Sequence, residues 1–102
     1  KTAMQIFERL IEIIENYVEA DEIKAEDSFK LDLGMSSFDT MCMVSEIEST
    51  LGVKLTAADF IKQKTVGEMA KYIASFYKLY LQLLLKLQNE RLQEYRDEGY
   101  NV

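Results

Sequence analysis

The chain of 102 residues contains no histidine, no proline and no tryptophan, and it has a single cysteine, Cys42. Without histidine, neither a Ser-His-Asp nor a Cys-His catalytic arrangement can form, and the commonest zinc ligand is missing. One cysteine allows neither an internal disulfide nor a thiolate zinc cluster. The protein's own side chains are therefore poorly equipped for catalysis, and we expect neither an enzyme nor a metal site.

Positive charge is also scarce, because 12 Lys and Arg stand against 18 Asp and Glu, for a net charge of −6. This balance argues against nucleic-acid binding through phosphate neutralisation. A lone cysteine among five methionines fits a reducing cytoplasm. The first residues lead into an amphipathic segment rather than an apolar core, so we expect no signal peptide and a cytoplasmic location.

Four helices are predicted from four capping-box motifs, each a Ser or Thr followed three residues later by Gln, Asp or Glu. Apolar residues at helical spacing follow each motif. The boxes begin at Thr2, Ser36, Thr56 and Thr65. Helix 1 carries one apolar stripe, made by Ile6, Phe7, Leu10, Ile11, Ile14, Tyr17 and Val18. Helix 4 carries another, made by Val66, Met69, Ala70, Ile73 and Ala74.

Helix 2 is predicted to run from Ser37 to Leu51, with Gly52 at its C-terminal cap. Its buried stripe is predicted to contain Met43, Val44, Ile47 and Leu51. Helix 3 is predicted to be short, over residues 57–61, with Phe60 and Ile61 facing inward. Before helix 2, residues 19–33 lack a sustained period and predict a long loop. The loop anchors are predicted to be Ile23, Phe29, Leu31 and Leu33.

A serine at the start of helix 2 is the candidate functional residue. If Ser36 is the N-cap, bonded reciprocally with Asp39, then Ser37 is the first helical residue. Its hydroxyl lies at the surface beside free backbone N–H groups and the positive end of the helix dipole. Negative charge is favoured there, so the position suits a phosphate group.

The run Asp32-Leu33-Gly34-Met35-Ser36-Ser37-Phe38 resembles the prosthetic-group site of acyl carrier proteins. In that family an Asp-Leu-Gly-x-Asp-Ser-Leu loop opens the second helix, and its serine carries 4′-phosphopantetheine, which derives from coenzyme A. The resemblance implies that Ser37 is the attachment residue, with Asp32, Gly34 and Ser36 shaping the site. Ser36 stands where the family usually has Asp, and it is the alternative hydroxyl.

The resemblance also implies a partner surface on helix 2. Asp39, Glu46 and Glu48 keep part of the acidity by which the family is recognised. Apolar or small residues beside Ser37 are also suited to partner docking, and they are Phe38, Met41, Cys42 and Ser45. The alternative is that Met41 or Cys42 belongs to the core. Expected partners are a phosphopantetheinyl transferase and acyl-transferring and chain-elongating enzymes with basic or apolar patches.

We therefore predict an all-α chain, namely a four-helix acyl-carrier-like bundle with a short third helix and an extended C-terminal helix. Residues 1–75 form the expected carrier domain and residues 76–102 a helical extension that continues helix 4 to about residue 98. Lys78, Gln82 and Lys86 interrupt its apolar run, so no membrane span is expected. Its apolar residues favour self-association through residues 76–98; the alternatives are docking of a partner, or a bend that folds the extension onto the bundle.

The predicted function is an acyl carrier protein that holds acyl intermediates as thioesters for fatty-acid or polyketide synthesis. One alternative is a carrier-fold interaction protein that stabilises a partner complex. Another is a peptidyl carrier protein, although the acidic character and the Asp-Leu-Gly start favour acyl cargo. A serine hydrolase built on Ser37 lacks a base that would activate the hydroxyl.

Overall fold

A computed structural model describes residues 2–101; Lys1 and Val102, the outer ends of the two predicted segments, lie outside the described residues. Its regular elements are four helices, in agreement with the all-α prediction: α1 (Ala3–Ile14), α2 (Ser37–Leu51), α3 (Ala57–Lys62) and α4 (Val66–Asp97). Among the described residues, the one β-type pairing is an isolated bridge between Ser28 and Thr65. The order and the lengths match the predicted four-helix pattern with its short third helix.

Every helix begins with the capping box that the sequence predicts, at Thr2, Ser36, Thr56 and Thr65. In each box the hydroxyl of the first residue accepts a hydrogen bond from the backbone N–H three residues later. The side chain of that later residue accepts one in return from the backbone N–H of the first. Because two otherwise unpaired N–H groups are satisfied, each cap contributes about 1 kcal/mol to helix stability.

The core forms where α1 packs against α4 and α2. The predicted stripes of α1, α2 and α4 face this core, and the residues completely inaccessible to solvent are Ile6, Leu10, Ile14, Met43, Ile47, Val66, Met69 and Ile73. Six other predicted stripe residues are half-buried at its edge: Phe7, Ile11, Tyr17, Val18, Val44 and Ala74. Val53 and Leu55, between α2 and α3, are also buried. Gly52 ends α2 with φ +67°, a left-handed conformation that glycine adopts without strain.

α1 is shorter than its apolar period suggests. It ends at Ile14, and Asn16 and Tyr17 lie in a turn closed by hydrogen bonds from their N–H groups to the carbonyls of Ile13 and Ile14. The Tyr17 hydroxyl and the Asn16 amide both donate to the Glu46 carboxylate, at 2.7 and 3.0 Å. These tertiary bonds hold the turn, so Tyr17 packs on the core from outside the helix.

The long loop between α1 and α2 is anchored by three of the four predicted residues, all of which pack on the core. Ile23 and Phe29 are buried and Leu33 is half-buried, but Leu31 is 83% exposed, so its predicted anchoring is wrong. Leu31 occupies a turn in which its N–H donates to Ser28 Oγ at 2.7 Å, and the residue at the tip of such a turn faces water. Met35 is buried instead.

The loop is also bonded to the first turn of α4. The N–H groups of Val66 and Gly67 donate to the carbonyls of Asp27 and Ala25 at 3.0 and 2.8 Å. A β-carbon at Gly67 would lie 3.0 Å from the Ala25 oxygen, so glycine permits this close approach. Two unpaired N–H groups of the α4 terminus are thereby satisfied, and the loop is fixed in place.

α4 runs for 32 residues without a break, which confirms the predicted extended helix. The hydroxyl of Tyr77 donates to the carbonyl of Leu51, and beyond Tyr77 the helix leaves the bundle. Residues 78–98, hereafter the projecting segment, are all exposed except for the half-buried Leu92, and the molecule is 61 Å long. The alternative in which the extension folds back is wrong. Within residues 2–101, no helix combines the length and the apolar character needed to cross a membrane.

Candidate functional site

The loop that leads to Ser37 is held in one conformation by short-range contacts. Gly34 has φ +61°, a conformation that favours glycine and turns the chain toward α2. Immediately after it, the buried Met35 donates its N–H to the Phe29 carbonyl at 3.0 Å. The Asp32 carboxylate accepts a hydrogen bond from the Ser28 N–H at 2.7 Å. Asp32 and Gly34 therefore shape the loop that presents the serines.

The two adjacent serines have different structural roles. Ser36 is the N-cap: its Oγ accepts from the Asp39 N–H at 3.1 Å, and its own N–H donates to Asp39 Oδ2 at 3.3 Å. Ser37 is the first residue of α2 and is exposed to solvent. Within the described part of the chain its hydroxyl makes no hydrogen bond, so this oxygen is available to a reagent from solution.

The surroundings of Ser37 suit a phosphodiester. α2 has 15 residues, and its dipole places partial positive charge at the end where Ser37 lies. Hydrogen bonds within the cap use the N–H groups of Ser36 and Asp39, whereas those of Ser37 and Phe38, two exposed residues, have no hydrogen-bond acceptor within residues 2–101. Backbone N–H groups in this position bind phosphate oxygens, so the residues present fit a phosphate-linked group on Ser37.

A groove of about 460 Å³ runs from Ser37 between α2 and α3. This volume falls within the usual range for small-molecule sites. The groove is lined mainly by apolar side chains, and its walls are Ser37, Thr40, Met41, Val44, Ser45, Glu48, Ala57, Phe60 and Ile61. It could take a flexible organic arm attached at its Ser37 end.

α3 forms the far wall of the groove and is positioned through Phe60. The Phe60 ring packs on the buried Phe29 ring, with centroids 5.3 Å apart. Ile61, however, is 69% exposed, so the prediction that it faces inward is wrong. No residue of α3 is buried: Phe60 is half-buried against Phe29, whereas Ile61 lines the groove and faces solvent.

The predicted apolar partner residues of α2 differ in exposure. Phe38 and Met41 are 62% and 68% exposed, and Ser45 is exposed as well. The alternative that places Met41 in the core is therefore wrong. Cys42 is half-buried, and its carbonyl lies 3.4 Å from the Tyr17 hydroxyl. Exposed apolar side chains therefore lie next to Ser37: Phe38 follows it in α2, and Met41 and Ile61 line the same groove.

The three acidic residues of α2 all make hydrogen bonds within the chain. Asp39 belongs to the N-terminal capping box, and Glu48 accepts from the Leu55 N–H at 3.1 Å. Glu46 accepts from Tyr17 and Asn16. The hydrogen bond to Glu46, followed by burial and by the negative charge of Glu46, raises the pKa of Tyr17 to about 12. Each of these carboxylates therefore also stabilises the fold.

The fold and the site define a small helical bundle that presents an exposed serine hydroxyl at a helix N-terminus beside an apolar groove. A family model described as phosphopantetheine attachment site matches residues 4–73. An acyl carrier protein from Thermotoga maritima is 38% identical over 71 residues, which cover 68% of this chain and 88% of the relative. The solved structure of the acyl carrier protein from Enterococcus faecalis superposes with a TM-score of 0.62 at 31% identity, over 74% of this chain and 98% of that one. The chain belongs to the family of phosphopantetheine-bearing acyl carrier proteins.

Proposed function

We propose that Ser37 is the residue that bears 4′-phosphopantetheine in this acyl carrier protein. The family establishes the covalent arm and the role of holding acyl groups, and its members are carriers rather than catalysts. When attached, the arm supplies a thiol on which acyl groups are held as thioesters. The chain's own contribution is to present the attachment oxygen and to offer a surface to the enzymes that act on the cargo.

The observation that carries this proposal is the difference between the two serines. Ser36 uses its hydroxyl to cap α2, whereas the Ser37 hydroxyl is exposed and unbonded within residues 2–101. For attachment, the Ser37 oxygen would attack the phosphorus of coenzyme A that is bonded to pantetheine. The new bond joins Ser37 Oγ to that phosphorus, the pyrophosphate P–O bond breaks, adenosine 3′,5′-bisphosphate leaves, and the hydroxyl proton passes to the transferase.

The proposal also includes the biosynthetic pathway that the carrier serves and its location in the cell. We assign the carrier to fatty-acid or polyketide synthesis, on the support of relatives that are themselves acyl carrier proteins. The cytoplasm fits the lone cysteine, which is free and half-buried.

The expected partners are the phosphopantetheinyl transferase and enzymes that transfer or elongate acyl groups. Their docking surface on this chain combines Phe38, Met41 and Ser45 with the charges of Asp39, Glu46 and Glu48, with Cys42 contributing at its edge. Because each acidic group is also hydrogen-bonded inside the fold, the exposed apolar side chains supply the part of the surface that is free to rearrange. A partner with an apolar patch beside its basic residues fits this surface.

Incubation with coenzyme A and a phosphopantetheinyl transferase of broad specificity, followed by intact-protein mass spectrometry, tests the proposal. Wild type is expected to gain the mass of one phosphopantetheine group and Ser37→Ala none. Ser36→Ala is the matched control, because it removes only the capping hydroxyl and should still be loaded. Failure of the wild type to gain mass, or an equal gain in Ser37→Ala, would refute the assignment.

A second candidate function, a carrier-fold protein that stabilises a partner complex, is favoured by the exposed apolar side chains of α2. Such a protein would bind its partner equally well with and without the arm. Co-purification of wild type and Ser37→Ala distinguishes the two functions. Equal recovery of one partner supports the complex-stabilising role, whereas loss of that partner from Ser37→Ala supports the carrier role.

A further inference from the structure

A second groove, of about 560 Å³, lies between the turn that precedes Ser37 and the end of α3. It is formed by residues 28–31, Phe60, Ile61 and Lys64, and is called the lysine groove below. It shares Phe60 and Ile61 with the groove beside Ser37, but no residue of α2 lines it. The attachment of the arm therefore leaves this surface without an assigned role.

The two walls of the lysine groove are joined by backbone hydrogen bonds. The Phe29 N–H donates to the Lys64 carbonyl at 3.2 Å, and Ser28 pairs with Thr65 in an isolated β-bridge. The rings of Phe29 and Phe60, with centroids 5.3 Å apart, both line the groove. The groove therefore exists before any partner binds, and little ordering of its backbone opposes binding.

Two large apolar side chains of the lysine groove are exposed to water. Leu31 is 83% exposed and Ile61 is 69% exposed. The turn holds Leu31 outward, because its N–H donates to Ser28 Oγ at 2.7 Å and the Asp32 N–H donates to the Ser28 carbonyl at 3.1 Å. Single exposed leucines are common on proteins, but these two line one groove together with two aromatic rings. They are therefore fixed apolar anchors for a partner.

Basic side chains line the same groove without an acidic counterpart. Lys30 and Lys64 are exposed, and neither forms a salt bridge within residues 2–101. The nearby carboxylates of Asp27, Asp32 and Asp59 each accept a hydrogen bond from a backbone N–H, and none of them lines the groove. Although the chain has a net charge of −6, this surface combines apolar side chains with positive charge.

We propose that the lysine groove docks a polypeptide segment of a partner protein in which carboxylates flank apolar side chains. The apolar side chains contact Leu31, Ile61 and Phe60, and the carboxylates pair with Lys30 and Lys64 through charge-assisted hydrogen bonds. This chemistry is opposite to that of α2, whose acidic residues suit a partner with a basic patch. The chain thus has two recognition surfaces of opposite charge, and the second does not depend on Ser37.

A polypeptide segment fits the shape of the lysine groove better than a lipid surface does. A flat surface would cover Leu31 and Ile61 but not the buried Phe29, which lines the groove between its walls. A side chain that projects from a helix or an extended segment can enter this space. Because few side chains form the contact, we expect a transient complex with a dissociation constant in the micromolar range.

Selection from a random dodecapeptide library displayed on phage tests the chemistry of the partner. Wild type, Lys30→Glu/Lys64→Glu and Lys54→Glu/Lys71→Glu are immobilised in parallel as full chains. Lys54 and Lys71 are exposed and line neither groove, so their variant is the matched charge control. Peptides retained by wild type and control, but not by the first variant, should be enriched in Asp and Glu beside apolar residues. If no such peptides are selected, or if they are rich in Lys and Arg, the proposal is overturned.

Titration of the most enriched peptide into isotope-labelled wild type locates the binding surface by NMR. The amide resonances of Leu31, Ile61 and Lys64 should shift. Lys30→Glu/Lys64→Glu and Leu31→Ser/Ile61→Ser should each raise the dissociation constant about tenfold or more. All four side chains are exposed, so both variants should unfold at the same temperature as wild type. Shifts confined to α2, or an unchanged dissociation constant in both variants, would contradict the proposal.

Two further variants serve as controls for this titration. Leu79→Ser/Leu83→Ser removes two exposed leucines of the projecting segment and should bind the peptide like wild type. Ser37→Ala should also bind it like wild type, so that a failure of this proposal is distinguishable from a failure of the role assigned to Ser37. Equal weakening by the substitutions at residues 79 and 83 would show that the peptide recognises any exposed leucine, which would overturn the proposal.

Two other occupants of the lysine groove are distinguished with the same charge variant. Sedimentation that detects dimers of wild type, but none of Lys30→Glu/Lys64→Glu, would assign the groove to a second copy of this chain. Flotation of wild type with phosphatidylglycerol vesicles, but not of that variant, would assign it to a lipid surface. Either result would overturn the proposal, whereas wild type and variant that behave alike in both measurements support it together with peptide binding.

Discussion

The two parts of α4 carry similarly apolar sequences but lie in opposite environments. Up to Tyr77 the helix is a core element, with Val66, Met69 and Ile73 completely inaccessible to solvent. Beyond Tyr77 the same helix continues without a break, yet Leu84 remains 45% exposed. Helix length follows from backbone hydrogen bonding and the lack of a breaker, and burial follows from what packs alongside. An apolar helix therefore does not by itself establish a core.

The buried part of α4 also contributes to the site. Its first turn is bonded to the loop through Val66 and Gly67, and the Phe29 N–H donates to the Lys64 carbonyl at 3.2 Å. Phe29 in turn contacts Phe60 of α3 and accepts from Met35, just before the two serines. The groove beside Ser37 is therefore positioned by the bundle, whereas the projecting segment makes no such contact among the described residues.

The largest expected effect separates a buried residue from an exposed one on the same helix. Ile73→Ala removes a fully buried side chain and should lower the free energy of unfolding by about 2–5 kcal/mol. Leu84→Ala should change it by less than about 0.5 kcal/mol in monomeric protein. Urea denaturation of both variants and of wild type, at a concentration low enough to keep the chain monomeric, measures the difference. Equal losses would show that the projecting segment is packed like the core.

The next effect concerns the cap that opens α4. Thr65→Ala removes the hydroxyl that accepts from the Glu68 N–H at 3.1 Å, and should cost about 1 kcal/mol in the free energy of unfolding. Gln88→Ala, in the projecting segment of the same helix, is the control and should be neutral or slightly stabilising because alanine favours helix. Urea denaturation again gives the numbers. A neutral Thr65→Ala would mean that the loop bonds to Val66 and Gly67 suffice to start the helix.

The sequence predicted the features that local chemistry controls. The capping boxes predicted where all four helices begin, and Gly52 predicted where α2 ends. The lack of a helix-breaking residue before Gly99 predicted the length of α4. It also placed Ser36 as the cap and Ser37 as the first helical residue. These predictions depend on residues within four positions of one another, so a single sequence contains the necessary information.

Features that depend on distant residues were predicted poorly. Leu31 and Ile61 are apolar, and only the packing of the turn and of Phe60 shows that both face solvent. The end of α1 depends on Tyr17 and Glu46, whose hydrogen bond joins residues 29 positions apart. No local signal in the sequence indicates such a bond, because it forms only after α1 and α2 have packed.

Tyr77 marks the boundary between the two environments and gives the third expected effect. Tyr77→Phe keeps the ring but leaves the Leu51 carbonyl without its hydroxyl donor, so the free energy of unfolding should fall by about 1 kcal/mol. Tyr80→Phe is the matched control, since Tyr80 is 60% exposed and should change stability by less than about 0.5 kcal/mol. Thermal unfolding of the two variants measures the effect, and equal midpoints would contradict the prediction.

The smallest expected effect is a dependence of bundle stability on alkaline pH. The pKa of Tyr17 rises from 10.0 to about 12, chiefly because its hydroxyl donates to Glu46. Between these two values the folded chain binds this proton more tightly than the unfolded chain does. The stabilisation is therefore complete below pH 10 and is lost progressively as the pH rises toward 12.

Tyr17→Phe removes this contribution, because phenylalanine has no proton to lose. The free energy of unfolding of wild type, measured in urea at intervals from pH 9 to pH 12, should fall more steeply than that of Tyr17→Phe. Tyr80→Phe is the comparison variant, because it removes an exposed hydroxyl that makes no hydrogen bond within residues 2–101. If Tyr17→Phe and Tyr80→Phe gave the same slope, the bond to Glu46 would not distinguish the bundle tyrosine from the exposed one.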